Sequence, residues 1–300
     1  MKNVRRNMLA LSLLWLVACG DGGNDPADGA AEVDRGPSVL HVDGDPNGLW
    51  WDDAEQALYI ADDNGNRILR WTDRDGFSRV ADLPSASPDG PGLGQLVRLE
   101  DGTFVVTRFG SGTAGDIVFV SPDGEGRVVP GLDPQRRRIG LTVTRDGQLY
   151  SSWFVRLSSG ERVGAVGALE LEGAESEVIT GLSKPAGVLA IGDDLYVSDQ
   201  GLGQILATTL SEPQSYTVLA EVEKPDLIAQ GPGNSIVSGS VGGNLVRIEM
   251  DGSTSVVQSG FQQVRGVAYD PTNRRAFVAD HDPDESDGVT HLLQIVPMED

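Results

Sequence analysis

The chain has 300 residues, with 23 Lys and Arg against 45 Asp and Glu, a formal charge of −22. A surface of that sign repels phosphates, which excludes nucleic-acid binding and docking on anionic lipid by charge alone. The single cysteine excludes an internal disulfide and Cys₂-type zinc sites, and 39 Gly with 16 Pro suit a chain of tight turns.

The N-terminus carries Lys2, Arg5 and Arg6, then an apolar run from Met8 to Val17 that is too short to span a bilayer as a stable helix. It ends Leu16-Val17-Ala18-Cys19, which resembles the bacterial lipobox. That resemblance implies a signal peptide over 1–18, cut before Cys19, and a lipid on the Cys19 thiol. Several acyl chains on one residue anchor stably. The expected partner is therefore the membrane, and the expected location is the cell envelope, with the domain outside the cytoplasm. Gly20 rather than Asp after the cysteine favours the outer over the inner membrane. Residues 19–36 add a Gly-, Asp- and Ala-rich stretch without apolar periodicity, which reads as a flexible acidic linker.

From residue 37 to 300 the chain repeats itself. The clearest unit is DPNGLWWDDAEQALYIADDNGNRILRW, Asp45 to Trp71. The same order returns from Gly92, Arg138, Lys184, Lys224 and Val264, with Asn47, Leu93, Ile139, Ala186, Asp226 and Arg265 as equivalent points. Their spacing of roughly 39–47 residues is that of four-stranded propeller blades. Strands rich in Val, Ile, Leu and Tyr are bounded by Asp-Gly and Gly-Asn turns, and no stretch after residue 20 keeps a helical period over three turns. The sequence predicts an all-β, six-bladed β-propeller with four-stranded blades. The last unit supplies only three strands, while a spare strand, PSVLHV at 37–42, precedes the first. This strand is predicted to be the outer strand of the last blade, zipping the ring shut and removing two sheet edges.

At DPNGLWWDDAEQALYIADDNGNRILRW the chain resembles the NHL-repeat and gluconolactonase-like (senescence-marker-protein) superfamily of six-bladed propellers. The likeness covers 37–300 as architecture and is motif-specific in the first and fourth units. It implies a divalent metal at the top of the central channel, held by a Glu from an E-G-P-x-W motif, an Asn, and an Asp from a P-D-G motif. Asn47 in PNGL and Asp226 in KPDL occupy such positions and are the candidate metal ligands. The chain departs from the pattern in three ways: E-G-P-x-W is missing, Leu227 replaces the Gly, and the other equivalent points are Leu93, Ile139, Ala186 and the cationic Arg265.

Other residues carry two readings each. Asp62, Asp199 and Asp280 end the strands LYIAD, LYVSD and AFVAD, either capping the next turn or facing the channel mouth. Trp153 stands where units one and four carry Asp, either as inter-blade core or lining a funnel for a sugar or lactone. His281 is the general-base candidate near the rim, or a solvated loop histidine. Arg136, Arg137 and Arg138 form the one basic run, either paired with nearby acids or an anion-binding spot at the ring mouth. DHDPDESDG, Asp280 to Gly288, is a solvated acidic hairpin or a surface calcium site. No nucleophile elbow or phosphate loop is present.

Two functions follow. One is a membrane-anchored module binding a small molecule or protein on its funnel face. The alternative is a metal-dependent lactonase or hydrolase with its site at the channel mouth, for which calcium or another divalent cation would be the cofactor.

Overall fold

The computed structural model describes residues 37–85, 92–170, 172–284 and 291–299. The expected signal peptide, Cys19 and the linker lie outside them.

The first repeat shows how each unit folds. Pro46–Asp52, Ala57–Asp62, Arg67–Thr72 and Gly76–Asp82 form one antiparallel sheet in chain order. The Asp52 carboxylate accepts the amides of Ala54 and Glu55 at 3.0 Å, and Gln56 takes φ 48°, so the acidic turn reverses the chain in a few residues. Five more sheets of four strands follow. Their innermost strands are Leu93–Arg98, Arg137–Val143, Pro185–Ile191, Pro225–Gln230 and Val264–Asp270. Each inner strand packs on the next, and the sixth returns to the first, closing a ring.

The last sheet takes three strands from the C-terminal repeat and its outer strand, Ser38–Leu40, from the start of the domain. Ser38 faces Ile295 and Leu40 faces Leu293 in an antiparallel register. The closure predicted for 37–42 is therefore present.

Apolar side chains fill the spaces between blades. Leu49, Leu58, Ile60 and Trp71 of the first blade pack against Ala268, Phe277 and Leu293 of the sixth. Trp51 stacks on Phe277 at 5.4 Å across that seam. Full burial of one such side chain contributes about 1.5–3 kcal/mol, and no blade can bury both faces alone.

Around the channel the blades meet by backbone. Every inner strand is bulged near its start, opposite the end of its partner strand. A Cβ on Gly94 would collide with the Ile139 carbonyl, and one on Gly266 with the Asn47 carbonyl, so these positions admit only glycine. Three seams add a hydroxyl. Thr107 Oγ1 donates to the Ile139 carbonyl at 2.7 Å, Ser152 Oγ to that of Ala186 at 2.9 Å, and Ser198 Oγ to that of Asp226 at 2.5 Å. Unit five lacks the glycine, carrying Leu227. Its seam is relieved instead at Gly239, where a Cβ would press on Val264 and Arg265.

Candidate site at the channel mouth

The two ends of the channel differ in chemistry. Toward the C-terminal ends of the inner strands lies a cavity of about 420 Å³, lined mainly by apolar residues such as Val97, Leu141, Val188 and Ile228. The other mouth, at the starts of the inner strands, is charged.

The strand-end aspartates turn out to be fasteners. Asp62 accepts the amides of Asp45 at 2.8 Å and Gly65 at 3.2 Å and pairs with Arg67. Asp199 accepts those of Ser183, Lys184, Gly201 and Leu202. Asp280 accepts those of Gln262 and Gln263, plus the Gln294 amide group. Each ties the loop entering an inner strand to the end of its neighbour. All three are buried, so the capping reading replaces the channel-mouth one for Asp62, Asp199 and Asp280.

The equivalent slot holds Arg108 in the second unit and Trp153 in the third. Arg108 is 1% exposed and donates to Asn66 Oδ1 at 3.0 Å and to the Pro84 carbonyl, bridging to blade one. Asp116 lies 3.6 Å away. Burial lowers Arg108 and raises Asp116, outweighing their attraction. Trp153 is buried beneath the Arg136 guanidinium, 3.8 Å from its ring centre, so the funnel-lining reading gives way to packing.

Strand alternation splits the basic run. Arg138 is fully buried and meets Glu175 with both guanidinium nitrogens at 2.5 and 3.1 Å. Arg136 joins Glu175 at 2.5 Å and Glu177 at 2.7 Å. Arg137 points the other way. It donates to the Ser111 carbonyl at 2.8 Å and lies 5.6 Å from the centre of the Phe154 ring. The Lys184 ammonium lies 5.7 Å from that same ring. Neither cation has a carboxylate within ion-pair distance among the described residues.

From Lys184 a polar chain crosses three blades. Lys184 Nζ donates to Gln200 Oε1, and Gln200 Nε2 donates to Asp226 Oδ2 at 3.2 Å. Arg265 donates to the same oxygen at 3.1 Å and to Gln263 Oε1 at 3.0 Å. Burial pushes Asp226 up, outweighing the pull of Arg265 and Lys184. Burial, then repulsion from Arg265, Arg162 and Arg137, lowers the Lys184 ammonium against the attraction of Asp226.

This arrangement does not fit the metal that the family resemblance implies. The Asp226 carboxylate is already paired with a guanidinium, and the Asn47 amide donates to the Leu93 carbonyl at 2.6 Å. A hard cation asks for about 6–8 oxygen donors, and here Arg265 stands in their place. The geometry therefore lends no support to Asn47 and Asp226 as ligands on the channel axis.

On the far side of Arg265 the rim carries two histidines. The rings of His281 and His291 stack at 4.1 Å with 13° between planes. His291 Nδ1 accepts the Asp282 amide at 3.0 Å and its Nε2 lies 3.3 Å from Asp45 Oδ1. A lone pair at Nδ1 leaves the proton of the neutral ring on Nε2, facing Asp45. Burial, then Arg265 and His291, pushes His281 down to about 4 against the pull of Asp282, so its imidazole is neutral at neutral pH.

Sequence reading missed Lys184, Phe154 and Arg108. The signals were present in outline. Lys184 opens the fourth unit, Phe154 adjoins the odd Trp153, and Arg108 occupies a slot where three units carry Asp.

The solved structures that this chain resembles include the calcium-binding protein regucalcin from Agrobacterium tumefaciens. That likeness has a TM-score of 0.70 at 14% identity and covers 87% of this chain and 93% of that one. A gluconolactonase from Xanthomonas campestris aligns with TM-score 0.67 at 19% identity over 87% and 89%. A luciferin-regenerating enzyme gives 0.66 at 15% over 87% and 95%. No family model matches the sequence, and no curated protein does. The chain is a six-bladed β-propeller. Its structural neighbours are gluconolactonase- and regucalcin-like propellers, and at these identities the likeness is one of fold.

Proposed function

We propose that this propeller is a binding module for a small organic anion, seated between Arg137 and Lys184 at the charged mouth. One observation carries the reading. In a chain of charge −22, Arg137 and Lys184 flank one aromatic ring with no carboxylate of the described residues within ion-pair distance. A carboxylate placed there can pair with both cations, and an attached ring or sugar has the half-buried Phe109 to pack on. The lipobox resemblance supports a tether of the module to a membrane through Cys19, outside the cytoplasm. The lactonase reading has the fold of its named relatives in its favour, but the Arg265–Asp226 pair stands where its metal would bind.

Calorimetric titration tests the site with benzoate, phenylacetate and gluconate, using glucose and glucono-δ-lactone as neutral counterparts. Binding of an acid, weakened by Lys184→Met and Arg137→Gln, supports the proposal. Binding of the neutral compounds alone, or acid binding indifferent to both substitutions, overturns it. For the tether, Cys19→Ser is expected to move the chain from the membrane fraction to the soluble one.

A further inference from the structure

We propose that Asp45, His281 and His291 form a site for a borderline divalent transition metal, zinc or nickel rather than calcium, on the rim where the first and sixth blades meet. One donor atom from each residue lies within 4.8 Å of the other two. Tetrahedral zinc with bonds of about 2.0–2.2 Å sets its donors about 3.3–3.6 Å apart, so atoms at that limit must close by about 1 Å or a little more. The donors come from two connections, both histidines lying on the one that joins Arg275–Asp280 to Leu292–Pro297. Asp45 precedes the first inner strand, His281 follows Arg275–Asp280, and His291 precedes Leu292–Pro297.

Three further observations point to a cation here. The His281 imidazole has no hydrogen-bond partner among the described residues, so its nitrogens are available. Asp282 is 4% exposed, and its Oδ2 is buried without a partner, close enough for its charge to act on His281. Asp45 is buried as well, so two buried carboxylates lie beside the two imidazoles. Burying an unpaired carboxylate oxygen is costly, and a divalent ion beside it offsets that cost.

The donor type selects the metal. Two imidazole nitrogens and one carboxylate suit zinc, nickel, cobalt or copper, whereas calcium takes oxygen donors. The site is separate from the channel axis, whose residues do not fit a metal. It also has a built-in consequence. Metal on His291 Nε2 moves the ring proton to Nδ1, where it opposes the Asp282 amide. Binding is therefore coupled to release of that amide and to a change at residues 282–284.

The test uses the full chain carrying Cys19→Ser, so that the lone thiol takes no metal, after treatment with a chelator. Zinc and nickel are expected to bind with one ion per chain in calorimetry and to raise the melting temperature, while calcium does neither. His281→Ala and His291→Gln are each expected to weaken zinc binding more than tenfold, a loss of about 1.4 kcal/mol. The circular-dichroism melt of each metal-free variant shows that it is folded. Faster hydrogen exchange of the Asp282 amide in the zinc form separates this geometry from chance surface binding. Zinc binding no tighter than calcium, zinc affinity unchanged in folded His281→Ala, or an unaltered Asp282 amide would each overturn the proposal. Because the anion site uses Arg137 and Lys184, either proposal can fail alone.

Discussion

Two arcs of the charged rim handle their cations in opposite ways. On blades two and three, Arg108 and Arg138 are buried, and carboxylates and carbonyls surround them. Between blades three and four, Arg137 and Lys184 sit against an aromatic ring with no carboxylate of the described residues within ion-pair distance. A guanidinium buried among carboxylates and carbonyls holds blades together and is closed to a ligand. A cation denied its partner is a cost to the fold that a ligand can remove. Pairing, rather than charge or position, therefore separates scaffold from site.

That contrast can be broken at several points. The largest effect is expected at Arg108→Met, which strands Asp116 and should cost about 3–5 kcal/mol in urea unfolding, with acid binding at the other arc retained. Next, Gly266→Ala should cost about 1–3 kcal/mol by overpacking the seam against Asn47, seen as a lowered melting temperature. Lys184→Met should leave stability within about 0.5 kcal/mol of the parent, yet lose about tenfold in carboxylate affinity, or 1.4 kcal/mol. The same loss of stability in Lys184→Met as in Arg108→Met would erase the distinction.

The smallest expected effect is in pH. Lys184 binds an anion only while protonated, and its folded pKa is lowered. Affinity should therefore begin to fall on the alkaline side at a lower pH than an ordinary lysine would give. Between the lowered and ordinary values the unfolded chain holds more protons, so this residue makes the fold gain stability as pH rises there. Replacing Lys184 with Arg should flatten the affinity profile, as titration across pH 7–10 would show.

Much of the architecture was legible because it is periodic. The unit around LYIAD and its variants set blade number, and the spare strand at 37–42 set the closure. The site was less legible. Asp62, Asp199 and Asp280 are chemically suited to either capping or catalysis, and only the backbone amides around them decide which. Alternation along Arg136, Arg137 and Arg138 could be read, but which face met Glu175 depended on the register of a strand almost forty residues away. Lys184 and Arg137 meet at Phe154 only because two successive blades pack side by side, a relation that no local motif records.

The shared last sheet also dictates an order of assembly. Ser38 pairs with Ile295, so the first strand of the domain to be made waits for one of the last. Until the final repeat arrives, both rims of the growing fan stay exposed and none of the inter-blade loops near Asp45 has its mate. Completion is thus a single late event, and a chain cut short in its last repeat would lack not just one blade but the lock for all six.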